Sequence, residues 1–156
     1  MTDILFHAMP TEDAEAIWAG GKDAYGIAPE SMISTGAGHP CRHCLANINE
    51  GDELLVFAYR PFPKLQPYAE TGPIFLHAKP CRRYQADEIQ PIVLQTSKDY
   101  ILRGYGENDR IVYGTGAILK EDVLKYAQGL LVRGDIAYVH VRSARNNCYQ
   151  CRIDRA

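Results

Sequence analysis

Between Arg60 and Pro73 the chain reads RPFPKLQPYAETGP, four prolines in fourteen residues. Each proline fixes φ and removes a backbone donor, so this stretch excludes a helix interior and a central strand. It predicts an extended surface connection, a kind of segment that often lines sites. Just upstream, the turn NEGD leads into ELLVFAY at 53–59, whose unbroken apolar run predicts a central strand covered on both faces. Just downstream, PIFLHA reads as another strand. At the start of the chain, ILFHAM predicts a strand. Acidic Glu12, Asp13 and Glu15 then suit a helix N-terminus, Gly20-Gly21 suits its end, and Ala14, Ile17 and Trp18 form its inner side.

Beyond the second strand, ADEIQPIVLQ is compatible with a short helix or an extended segment, while DYILRGYG and RIVYGTGAI around END predict a hairpin. KEDVLKYAQGLL carries Val123, Leu124, Ala127, Leu130 and Leu131 at the spacing of one buried helical stripe. DIAYVHVR and CYQCRID around SARNN predict a closing hairpin, added to the sheet that contains ELLVFAY. Strands outnumber helices and arrive in hairpins. The expectation is a single α+β domain over residues 1–156, mainly an antiparallel sheet with two or three helices packed on it.

Composition narrows the class. At 156 residues and 46% hydrophobic the chain can bury one substantial core. A net charge of -2 supplies no positive field for a nucleic acid. No apolar run approaches the roughly 20 residues of a spanning helix, so no membrane association is expected. MTDILFHAMP lacks the basic start and small-residue cleavage site of an export signal, so the expected location is cytoplasmic. In that compartment the five cysteines are free thiols or metal ligands before they are disulfides. Nothing in the sequence specifies a reaction or an oligomeric state.

HPCRHCL, GDELLVFAYRPF, PYAETGPIFLHA, RGYG and YVHVRSARNNCYQCRIDR together resemble an uncharacterised bacterial family known as a domain of unknown function, number 1203. The likeness spans nearly the whole chain. It implies one bacterial cytosolic domain and brings no mechanism, substrate or cofactor with it.

The cysteines therefore have to be read on their own chemistry. Cys41-x-x-Cys44 and Cys148-x-x-Cys151 supply four soft ligands, the number a closed tetrahedral zinc site needs, so one zinc ion is a candidate cofactor. Such a site would be assembled by tertiary folding, with the Cys41 loop beside the C-terminal hairpin. Against it, a regular strand through CYQC turns Cys148 and Cys151 to opposite faces, and small buried core thiols remain an alternative. Arg42 and His43 between Cys41 and Cys44 also fit a redox dithiol. Cys81, set among Lys79, Arg82, Arg83 and His77, fits a thiolate nucleophile, although no orienting Asp or Asn is visible. In IAYVHVR the alternation places Tyr138, His140 and Arg142 on the less buried face. With Arg42, His43 and the loop bearing Tyr68 and Glu70, they could bind a small anionic ligand. GxxxxGK[ST], GxSxG, HExxH and the EF-hand loop are absent from the sequence. The leading expectation is a small-ligand or metal-binding domain, and the alternative is a thiol-dependent enzyme.

Overall fold

The computed structural model describes residues 3–86 and 90–156. Among the described residues nine strands and two α-helices follow in the order β1 (Ile4–His7), α1 (Thr11–Trp18), β2 (Glu30–Ile33), β3 (Glu53–Tyr59), β4 (Gly72–His77), β5 (Asp99–Tyr105), β6 (Ile111–Val112), β7 (Ala117–Leu119), α2 (Val123–Leu131), β8 (Tyr138–Ser143) and β9 (Tyr149–Arg155). They form two antiparallel sheets. The larger runs β1-β9-β8-β5-β6, with β7 also pairing on β5, and the smaller runs β2-β3-β4. The architecture is α+β, as the hairpin-rich sequence implies, but its strands are divided between two sheets.

That division corrects one expectation. ELLVFAY is indeed a central strand, yet of the smaller sheet, while the β8–β9 hairpin belongs to the larger one. β9 pairs with both β1 and β8, so the closing hairpin shares its sheet with the first strand rather than with β3. Pro73 is accommodated because β4 is an edge strand, where the missing donor faces no partner. β2, with the sequence ESMI, is not among the strands the sequence predicts: its four residues are all exposed and carry no apolar alternation.

Alternation along β8 sends Val139 and Val141 into the main core with Leu102, Cys151 and Ile153, where α2 covers them. From α2 come Val123, Ala127, Leu130 and Leu131, all buried. Leu124, expected in that stripe, is 44% exposed. It stands about 100° round the helix from Val123, at the margin of the stripe. A second core lies between α1 and the smaller sheet, formed by Met9, Ala14, Ile17, Ile48, Leu54, Phe57, Ile74 and Leu76 together with Cys41. The proline-rich connection does not merely cross the surface, since Phe62 is buried against Tyr105 and Tyr138 on the opposite face of the larger sheet. Consequently Tyr138, His140 and Arg142 are not on a solvated face: they are 3%, 0% and 6% exposed. Of ADEIQPIVLQ, Ile92–Gln95 forms a single 3-10 turn after Pro91, while positions 87–89 lie outside the described residues.

Candidate metal centre

The segment after Gly38 folds back on itself within a few residues. Pro40 bridges Asn47, the Cys41 amide donates to the Ala46 carbonyl at 2.9 Å, and the Leu45 amide donates to the Cys41 carbonyl at 2.9 Å. Leu45 closes the turn in the left-handed region, at φ 56°. This is a tight turn rather than the mouth of a long helix, so the setting expected of a redox dithiol is missing. Neighbouring segments bind the turn's remaining backbone groups. Arg42 donates its amide to Phe75 and accepts from Met9, His43 accepts from Tyr84, and Leu45 accepts from Val93.

The Arg42–Phe75 bond matters most for the site. It lays the cysteine turn beside β4, and Cys41 forms a parallel bridge with Phe75. β4 ends at His77, and the chain then bends through Lys79-Pro80 to Cys81. Two local pairs, Cys41/Cys44 and His77/Cys81, are thereby brought together. Their four ligand atoms all lie within 4.8 Å of one another. Around a tetrahedral zinc with Zn–S of about 2.3 Å and Zn–N of about 2.0 to 2.1 Å, sulfurs stand about 3.8 Å apart and sulfur from nitrogen about 3.5 to 3.6 Å. The Cys41 and Cys81 Sγ atoms are 3.8 Å apart, and Cys44 Sγ is 3.6 Å from His77 Nδ1. Both separations match the edges of such a tetrahedron.

The electrostatics favour a cation here. Thiol hydrogen bonds from Cys44 and then Cys81, and a backbone hydrogen bond from Cys44, hold the Cys41 thiol far below its ordinary range despite burial. The cost of that charge falls on its neighbours. Cys44 is pushed up to about 11, chiefly by its hydrogen bond to Cys41, and Cys81 is pushed up for the same reason. His77 is raised above its ordinary value by hydrogen bonding to the Cys41 thiolate. Three thiols and an imidazole at contact distance thus compete for protons, and a divalent ion would replace those protons with a single charge.

Surrounding groups fix the ligands. His43, buried, places Nδ1 3.3 Å from Cys81 Sγ and Nε2 3.0 Å from Thr11 Oγ1, and its ring meets Trp18 edge-on at 5.3 Å. With a thiolate as acceptor, the ring proton sits on Nδ1 and the Thr11 hydroxyl donates to Nε2. Trp18 also donates its indole N–H to the His77 carbonyl at 2.8 Å. Arg42 donates through Nε to the Tyr149 carbonyl at 2.7 Å, tying the cysteine turn to β9.

The Cys41 loop is therefore beside the C-terminal hairpin, as expected, but the hairpin's thiols are not among the four clustered ligands. Cys151 is fully buried in the main core, and burial pushes its thiol up to about 12. Cys148 sits in the turn before β9, with Sγ 3.7 Å from the Asn146 carbonyl. Among the described residues neither joins a group with the spacing of metal ligands. The places of the second pair are taken by His77 and Cys81, which the sequence offers as a possible thiolate and its basic surroundings. His-x-x-x-Cys at the end of a strand was the available signal.

The five residues expected to hold an anion do not converge either. Arg42 and His43 belong to the surroundings of the candidate metal cluster. Tyr138 donates to Asp109 at 2.7 Å, and Arg142 is engaged by Asn147 and Glu70, whose other oxygen accepts from Arg103. Only His140 has both ring nitrogens without a partner among the described residues.

Two antiparallel sheets, two helices and a partly buried Cys3His cluster among the described residues define an α+β protein with a candidate metal centre. The family described as "Protein of unknown function (DUF1203)" matches residues 38–155, which include all four clustered residues, and the chain belongs to that family. No curated protein and no solved structure matches the chain.

Proposed function

We propose that this protein is a zinc-binding domain in which Cys41, Cys44, His77 and Cys81 hold one structural zinc ion. The observation that carries the reading is the agreement of the Cys41–Cys81 and Cys44–His77 separations, 3.8 and 3.6 Å, with the edges of a zinc tetrahedron. Four protein ligands close the coordination sphere and leave no position for substrate, which favours a structural over a catalytic ion. His43, donating to Cys81, would spread the negative charge of three thiolates around a divalent ion and fix the orientation of that ligand. Reduced thiols suit a cytoplasmic location, and the net charge of -2 gives no reason to invoke nucleic acid.

Metal analysis of the full-length protein purified under reducing conditions should find about one zinc per chain. Cobalt substitution should give the intense visible bands of tetrahedral thiolate coordination. Cys81→Ser should weaken both results, while Cys148→Ser should leave them intact. Protein that neither retains zinc nor develops the cobalt spectrum would overturn the proposal.

The 3.3 Å contact between His43 and Cys81 supports a second reading, a thiol-dependent enzyme in which His43 activates Cys81. The two separate cleanly. A zinc-bound Cys81 is slow to alkylate until the metal is removed, whereas an activated nucleophile alkylates fast in metal-free protein and loses that speed in His43→Gln.

A further inference from the structure

On the face of the larger sheet opposite α2, the antiparallel register sets His7, Arg152, His140 and Arg103 side by side across β1, β9, β8 and β5. The two guanidiniums of this row are each paired with a carboxylate, Arg152 with Asp154 and Arg103 with Glu70. His140 is its deepest member. It is 0% exposed, and the rings of Phe62, Tyr105, Tyr138 and Tyr149 enclose it at centroid distances of 5.1, 4.8, 5.1 and 4.8 Å. Neither of its ring nitrogens has a hydrogen-bond partner among the described residues. A buried polar group without a partner is costly and calls for a functional explanation.

His140 lines a cleft of about 640 Å³ between the two sheets, a size that suits a small organic molecule. The carboxylates on its walls are already engaged. Asp23 accepts from the amides of Tyr25, Ile27 and Ala58, Asp13 accepts from the Tyr59 hydroxyl, and Asp154 takes Arg152 at 2.7 and 2.8 Å. The cations are less matched. Among the described residues Lys22 and Arg60 form no ion pair, and Arg83 donates to the backbone carbonyls of Ala8 and Met9. Phe57 and Phe62 give the same cleft an apolar wall.

We propose that this cleft binds a small organic molecule through an anionic carboxylate or phosphate group, with His140 at its base and Lys22, Arg60 and Arg83 around the charge. The apolar wall takes the body of the molecule. The site is separate from the metal cluster, to which none of its lining residues contributes a ligand.

The test uses the full-length protein at constant ionic strength, titrated with benzoate, inorganic phosphate and the neutral analogue benzamide. Binding is followed by calorimetry and by the His140 ring resonances, and zinc content is measured in parallel. At least one of the two anions should bind about tenfold or more tighter than benzamide and shift the His140 resonances; which one does so identifies the group recognised. His140→Phe, which keeps a ring in the aromatic enclosure, should weaken that binding about tenfold, and Arg60→Gln should weaken it without altering zinc content. Equal affinity for the anions and benzamide would overturn the proposal, as would undiminished anion binding in both variants.

Discussion

Removing the metal should destabilise the fold by an amount the structure allows to be worked out. Bound as proposed, the ion would join two local ligand pairs, and the span from Cys44 to His77 is 33 residues. If the unfolded chain keeps its zinc, the metal acts as a cross-link across that span, and chain entropy assigns it about 3.7 kcal/mol at 25 °C. If unfolding releases the ion, free zinc at about a thousand times its dissociation constant contributes about 4.1 kcal/mol. Both limits fall near 4 kcal/mol. For a chain of 156 residues, each kcal/mol moves Tm by about 2 to 4 °C, so zinc-loaded and verified metal-free protein should melt about 8 to 16 °C apart. The chain carries a built-in local probe as well. Its one tryptophan, Trp18, donates to the His77 carbonyl and stands against His43. Chelation should therefore change Trp18 emission below the melting transition. Circular dichroism follows the global transition while fluorescence follows the site. Metal-free protein that melts within about 2 °C of the loaded form, with unchanged Trp18 emission, would refute the reasoning.

Leu131→Ala, at a site 1% exposed, should cost about 2 to 5 kcal/mol in urea unfolding. Leu124→Ala, at 44% exposure, should stay within about 1 kcal/mol of the parent, and equal losses at the two positions would place the helix in a different rotation. Cys151 should resist alkylation in the native protein at pH 8 and react only on unfolding, because burial both shields it and pushes its thiol up to about 12. Burial, with Arg152, Arg142 and Arg103 nearby, holds the His140 imidazole well below its ordinary 6.5, so below that pH the unfolded chain binds a proton the native state refuses. His140's contribution to stability should then fall by about 1.4 kcal/mol per pH unit as pH drops below 6.5, and the urea midpoint of His140→Phe should depend less steeply on pH over 7 to 5.5 than that of the parent.

Local periodicity specifies an element where one period dominates. Val139 and Val141 alternate with Tyr138 and His140, and the strand they predict is β8. The buried α2 stripe follows from the same kind of pattern, except at Leu124, where a margin position looks like an interior one in sequence. Which sheet a strand joins is a different kind of question. The β8–β9 hairpin could satisfy its backbone donors beside β3 or beside β1, and nothing in its own residues distinguishes the two. β2 left no trace because its side chains are exposed and its backbone pairing with β3 alone places it. The burial of Tyr138 and His140 likewise involves Phe62, delivered from a proline-rich connection that looks like surface.

The two Cys-x-x-Cys pairs show why a motif's backbone matters more than its spelling. Chelation needs the sulfurs of residues i and i+3 to converge, which a tight turn achieves and an extended strand prevents, because side chains three apart on a strand point to opposite faces. Pro40 before Cys41 and the left-handed Leu45 after Cys44 make the first pair a turn. The second pair straddles a boundary. Cys148 remains in the turn, where Asn147 has φ 56°, while Tyr149 begins β9 and carries Cys151 into the core. For the first pair to complete a coordination sphere, the other ligands would have to come from whatever segment packs beside it. The amide of Arg42 on the Phe75 carbonyl decides which one, by fixing the turn against β4 two residues before His77. A His and a Cys four residues apart, joined by Lys79-Pro80, can bend as a strand cannot, and they bring beside it the two candidate ligands that Cys148 and Cys151 are placed too differently to offer together.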